Sequence, residues 1–252
     1  MTQPRAPALP DVTISEDGDV RCLHLGSEWV QGTMWIDRPF DIELEYVQRM
    51  MAWLLFVPPD TVADRHAMQL GLGAASLTKF SAKKLRMRTT AIDINPQVIA
   101  ACRTWFKLPP DSARLKVMLG DAAEVVAYPP FHGTVDALQV DLYDDEAAAP
   151  VLDDPGFYRQ CRQLLTDDGA ITVNLFGRDV RAAQSLQHLR EAFGHDAVWA
   201  FKPTRDGNTV VLALRTPRQP DRDTLVARAE AVQSRWGLPA TKWLRVFKPW
   251  RG

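Results

Sequence analysis

The chain has 252 residues, enough to bury a full core as one α/β domain with a small appendage. A net charge of -1 predicts no general attraction to nucleic acid or an anionic membrane, and no apolar stretch approaches the roughly 20 residues a bilayer span needs. Residues 1–10 lack the apolar stretch of a signal peptide and read as a flexible leader. Cys22, Cys102 and Cys161 lie far apart without CxxC spacing, which predicts buried free thiols in a reducing cytoplasm and no metal site or disulfide framework.

Val12-Thr-Ile14 and Val20–Leu25, separated by Glu16-Asp-Gly-Asp19, predict a β-hairpin turning at Asp17-Gly18, and Glu28–Ile36 can extend it into a small antiparallel sheet. After Pro39, the apolar face of Leu44, Val47, Met51, Leu54 and Leu55 predicts a helix that stops at Pro58-Pro59. From Ala67 the pattern alternates. Strands are predicted at 68–72, 90–94, 116–119, 137–140, 170–175, 197–201 and 209–214, with helices at 75–85, 96–106, 155–165, 179–193 and 222–235. Such alternation predicts a doubly wound, mostly parallel sheet with helices on both faces. The last two strands are joined by Thr204-Arg-Asp-Gly-Asn208, too short for a helical crossover, so they should form an antiparallel edge hairpin.

In open α/β sheets, ligands bind outside the carboxyl ends of the strands. The first strand ends in Gly71-Leu-Gly-Ala-Ala-Ser76, where glycines let backbone approach a ligand closely. The second ends at Asp93, about twenty residues on, where an acid can accept hydrogen bonds from both ribose hydroxyls or cap the helix at Pro96. The third ends at Gly120-Asp121-Ala122, where the carboxylate and a backbone N–H can read an adenine edge, or the acid can simply cap the next helix. Together these ends favour adenosine attached to a sulfonium over a nicotinamide cofactor. The fourth strand runs into Asp141-Leu-Tyr-Asp-Asp-Glu146, an acidic cluster able to hold a cation or act as a base.

With that fourth end added, the chain resembles the spermidine synthase (polyamine aminopropyltransferase) family over roughly residues 12–215. The resemblance implies a Rossmann-like class I methyltransferase fold: a seven-stranded, mostly parallel sheet with an antiparallel edge hairpin, plus a small N-terminal β-hairpin domain. The chain is expected to divide into a leader over 1–11, the β-hairpin domain and linking helix over 12–58, a nucleoside-binding domain over 59–216, and a C-terminal helix and tail packing on the core over 217–252. The resemblance also implies a homodimer that takes decarboxylated S-adenosylmethionine and a putrescine-like amine. The residues themselves point to the cytoplasm, to no metal, membrane or nucleic-acid partner, and, through Ala74, to S-adenosylmethionine itself as the other donor. Gly71, Gly73, Asp93, Asp121 and Ala122 match the nucleoside-binding segments. Asp141 and Asp144 match the Asp-x-x-Asp that holds and deprotonates the amine, while Gln31, Tyr46 and Tyr143 would line its pocket. Asp145 and Glu146 can equally be solvated loop charges.

Two departures matter. The family's glycine-rich turn carries an acid that contacts the aminopropyl amine, and here Ala74 holds that place. The family's strongly acidic substrate motif is also absent, the segment reading Glu43-Leu-Glu-Tyr-Val-Gln48. Both keep two alternatives open: a methyltransferase of the same fold using S-adenosylmethionine, and a nucleoside-binding protein without transfer activity. The five histidines show no metal-ligand spacing, and the basic, aromatic tail Lys242–Arg251 reads as packing more readily than as a nucleic-acid contact.

Overall fold

A computed structural model of the chain describes residues 9–142, 150–177 and 180–251. Three strands, β1 (Val12–Asp17), β2 (Val20–Leu25) and β3 (Val30–Trp35), form an antiparallel sheet in that order. Asp17 pairs with Val20, so the turn residues are Gly18 and Asp19, with Gly18 at φ +55° where glycine meets no Cβ penalty.

The expected long helix after Pro39 is replaced by two short pieces. Helix α1 (Glu45–Arg49) stops after five residues, and a 3-10 turn covers Ala52–Phe56. All five residues of that turn are buried. A segment enclosed on every side has no solvent face to carry a regular amphipathic helix, and its backbone finds partners elsewhere. The Met50 carbonyl accepts from Thr172 Oγ1 at 3.0 Å, and buried Arg49 donates to the Lys202 carbonyl at 2.6 Å.

The main sheet begins with β4 (His66–Leu70), followed by α2 (Ser76–Lys79), β5 (Arg88–Asp93), α3 (Pro96–Thr104), β6 (Leu115–Leu119), α4 (Ala122–Val126) and β7 (Val135–Val140). Helix α5 (Pro155–Leu164), β8 (Leu165–Phe176), α6 (Val180–Phe193), β9 (Val198–Phe201) and β10 (Asn208–Leu214) come next. The chain closes with α7 (Arg222–Trp236), α8 (Ala240–Trp243) and β11 (Phe247–Pro249). The predicted helix at 75–85 is α2 widening into a π-helical turn over Phe80–Lys84.

The strand order is β11-β9-β10-β8-β7-β4-β5-β6. β4, β5, β6, β7 and β8 pair in parallel, while β10 pairs antiparallel with β8 and β9. The sheet therefore has eight strands, one more than the sequence predicts. The extra one, β11, is three residues long and ends in Pro249, a composition that only an edge tolerates and that carries no strand signal. It pairs antiparallel with β9. The central strands are buried on both faces, as parallel strands between helical layers must be. One apolar cluster joins the Ala52–Phe56 turn, α7 and α8 to one face; a second joins α5 and α6 to the other; a third seats the N-terminal sheet on α3.

From β4 the chain moves outward to β5 and β6, then returns to β7 on the other side of β4. The strand order thus reverses between β4 and β7, and a crevice opens at their carboxyl ends.

Candidate active site

A cavity of about 960 Å³ occupies that crevice. Its wall contains Gln31, Tyr46, Gly71, Gly73, Asp93, Asp121, Ala122 and Asp141, so eight of the residues singled out in the sequence converge on one space. Tyr143 and Asp144, the other two, lie outside the described residues, as do Asp145 and Glu146.

The strand ends are tied in a row, each ladder continuing one rung past its strand. Asp141 N–H donates to Leu70 O at 2.9 Å, Gly71 N–H to Ile92 O at 2.9 Å, and Gly120 N–H to Asp93 O at 3.0 Å. Gly71 has φ +83°, and a Cβ there would lie 2.0 Å from the Asp141 carbonyl oxygen. The sequence reading reserves this glycine's space for a ligand; the structure fills it with the backbone of the neighbouring strand end. Gly73, at φ +50°, lies under the Gln31 carbonyl, 3.0 Å from where its Cβ would be.

Asp93 spans two backbone segments. Its Oδ2 accepts from Leu72 N–H at 2.8 Å and its Oδ1 from Asn95 N–H at 2.8 Å. The α3 cap is instead Asn95, whose Oδ1 accepts from Gln97 N–H at 2.9 Å. Asp93 thus pins the glycine turn to the start of α3 while facing the cavity. Burial raises its pKa, and the two N–H donors partly offset that. Asp121 caps α4, its Oδ1 accepting from Ala123 N–H at 2.8 Å, and also borders the cavity. Asn95 Nδ2 donates to Pro10 O at 2.9 Å, which brings Leu9 and Pro10 over the same side as a wall.

Asp141 is the centre of the other half. Tyr46 O–H donates to its Oδ2 at 3.3 Å and Asn174 Nδ2 to its Oδ1 at 2.9 Å. Burial pushes the carboxyl up, and these two donors pull it back toward the ionised form. Asn208 Nδ2 donates in turn to Asn174 Oδ1 at 3.1 Å. Neither asparagine was singled out in the sequence. The available signal was a polar residue inside the apolar run Ile171–Phe176, which a buried strand carries only when the side chain is satisfied.

Ala74 is 2% exposed and belongs to the apolar cluster of Leu23, Met34 and Leu72. It does not border the cavity. A Cβ on Gly32 of β3 would stand 2.5 Å from its backbone nitrogen, so the N-terminal sheet meets the glycine turn at backbone distance here.

The described wall holds five acids, Glu28, Asp93, Asp121, Asp141 and Asp206, and no Lys, Arg or His. Trp29 and Phe176, in edge contact at 6.5 Å, add aromatic surface. Such a space favours a cation with an apolar body. Among the described residues, no three His, Cys, Asp or Glu side chains are grouped to hold a metal ion, and no helix is long and apolar enough to cross a membrane.

No family model matches the chain. Curated relatives include the polyamine aminopropyltransferase of Neisseria meningitidis serogroup A, 34% identical over 248 residues, which covers 98% of this chain and 92% of that protein. The polyamine aminopropyltransferase of Chromobacterium violaceum is 34% identical over 238 residues, 94% of this chain and 88% of the relative. Among solved structures, a probable spermidine synthase of Corynebacterium glutamicum superposes with a TM-score of 0.72 at 20% identity, over 94% of this chain and 90% of that one. A spermidine synthase in complex with the transition-state analogue AdoDATO gives 0.59 at 15% identity, over 94% and 97%. Human methyltransferase-like protein 13 with SAH gives 0.69 at 21% identity, over 77% and 93%. The structural likeness establishes the α/β methyltransferase fold, and the sequence identity over nearly the whole chain establishes more: this protein is a transferase belonging to the polyamine aminopropyltransferase family.

Proposed function

We propose that the protein transfers an aminopropyl group from decarboxylated S-adenosylmethionine to a primary amine of a putrescine-like diamine. One observation carries this reading: the described cavity wall is lined by acids without a base, with Asp141 at its centre under Tyr46 and Asn174. Asp93, Asp121, Ala122, Gly71 and Gly73 border the adenosine half; Gln31, Tyr46 and Asp141 border the amine half. Tyr143 and Asp144 complete the amine half in this proposal.

A polyamine nitrogen has a pKa of roughly 10, so it arrives as unreactive ammonium. At an effective dielectric of 20, two unit charges 4 Å apart attract by about 4 kcal/mol, so a few acids suffice to hold a dication. Asp141 then takes the ammonium proton and passes it to water. The freed lone pair forms a bond to the methylene carbon beside the sulfonium, the carbon–sulfur bond breaks, and its electron pair stays on sulfur in methylthioadenosine. The three free, buried thiols suit a reducing cytoplasm, and we assign the enzyme there as a homodimer on the family resemblance.

A second reading is favoured by Ala74. The glycine turn offers the cavity Gly71, Leu72 and Gly73 but no carboxylate, so nothing on it repels the carboxylate of S-adenosylmethionine, the methyl donor. Incubation with putrescine or spermidine plus each nucleoside separates the two. Methylthioadenosine formed from the decarboxylated donor supports aminopropyl transfer; adenosylhomocysteine supports methyl transfer. Binding of the nucleosides without either product leaves a binding protein. Asp141→Asn should keep methylthioadenosine affinity and lose turnover by at least about 100-fold; near-normal turnover would place the base elsewhere.

A further inference from the structure

Asn174 lies on β8 and Asn208 opens β10, two antiparallel strands in which Asn174 stands opposite Val210 and Asn208 opposite Phe176. Residues two apart on a strand share a face, so the amides are diagonal neighbours on the face that meets the cavity. Both side chains are buried. Asn208 is itself fixed: its N–H donates to Thr204 Oγ1 at 3.1 Å, and its carbonyl accepts from Thr204 N–H at 2.8 Å.

A primary amide has a donor end and an acceptor end of nearly the same shape. Reversed, Asn174 would set its oxygen against an ionised Asp141, placing two acceptors face to face. The bond from Asn208 occupies that oxygen at 3.1 Å, so reversal would break a buried hydrogen bond as well.

We propose that Asn208 is a positioning residue for the transfer reaction, acting through Asn174 by locking its amide with the NH2 group on Asp141. The inference rests on Asp141 as the proton acceptor of the proposed function. Asp141 is buried, and Tyr46 and Asn174 donate to its carboxylate. The other titratable groups of the described cavity wall are Glu28 before β3, Asp93 at the end of β5, Asp121 before α4 and Asp206 before β10. All are acids, so none replaces a lost donor.

The test is a carboxyl-carbon NMR titration of aspartate-labelled, nucleoside-free protein, with the Asp141 signal assigned by its loss in Asp141→Asn. Asn208→Leu and Asn208→Ala both remove the side-chain donor, one by filling space and the other by opening it, so a packing defect in one does not disable the test. The Asp141 midpoint should rise by about one pH unit in either variant. Asn208→Gln, which keeps an NH2 donor, should hold the midpoint near that of the native protein, and the acid limb of the kcat profile should follow the same order. An unmoved midpoint in the donorless variants overturns the proposal, as does an equal rise in Asn208→Gln. Turnover by the unsubstituted protein is recorded in parallel: its absence would overturn the proposed function, whereas the titration alone decides the role of Asn208.

Discussion

Lys79 is fully buried, with Nζ donating to Phe106 O at 2.8 Å, and burial lowers its pKa from 10.5 to about 7. Between those values the unfolded chain carries a proton that the folded chain has shed, so this group's contribution to stability rises with pH across the window. Below it both states are charged and the full cost of burying an ammonium is present. Lys79→Met should therefore stabilise the protein by about 1–2 kcal/mol at pH 6, net of the lost hydrogen bond. The gain should fade toward pH 10; denaturant curves showing it grow with pH would contradict this account. At the proposed ribose end, Asp93→Ala removes an acceptor from the cavity and should weaken methylthioadenosine at least about tenfold by calorimetry. An unchanged affinity would remove the ribose assignment. Asp93, Asp121 and Asp141 were legible because each follows an apolar run, and acids at successive strand ends must converge in this fold. Asn174 and Asn208 were not, since a neutral amide within a strand announces neither charge nor exposure, and its partner is visible only once β8 and β10 are paired.

Elements were legible where one period dominates. Helices α3, α5 and α7 and the core strands other than β8 fall close to their predicted spans because their neighbours in the sheet impose one buried face each, whereas β8 starts at Leu165, five residues before its predicted start. The segment 44–57 misleads because its apolar residues point every way, and helical spacing can be found in any sufficiently apolar run. The glycine turn is an element-scale device as well. Gly71 lets the end of β4 nest against the end of β7, so Gly71→Ala must move one strand end or the other. With positive φ added to the 2.0 Å clash, the substitution should cost about 2–4 kcal/mol and reduce turnover along with thermal stability. Full retention of both would mean that the strand ends yield more easily than their hydrogen bonds imply.

At the scale of the molecule, the doubly wound order could be read from the alternation of strands and helices, but the closure of its far edge could not. β11 comes from a tail whose bases and aromatics hide a three-residue strand. Phe247 stacks on Phe201 at 4.5 Å and lies against Trp199 at 5.4 Å and Phe56 at 6.2 Å. Trp250 lies under Arg190 at 5.0 Å. The tail thus joins the sheet edge to the same apolar layer that holds α7 and α8. Phe247→Ala should destabilise the whole fold by about 3–4 kcal/mol, read as a shift of the single unfolding midpoint. A separate early transition confined to the tail would show instead that it folds on its own.

Gly32 and Ala74 meet where the N-terminal sheet rests on the glycine turn, and neither leaves volume for the other to grow. A side chain at 32 would strike the backbone of residue 74 whatever residue stands there. A carboxylate introduced at 74 alone would enter an apolar cluster and press on β3, so a gain in donor recognition would be masked by loss of fold. Gly32 is already the smallest residue, so no exchange at 32 makes room at 74; room can come only from β3 and its apolar neighbours shifting. For a lineage, this seam makes the residue at 74 a feature inherited together with the seat of β3, changed in concert with it or not at all.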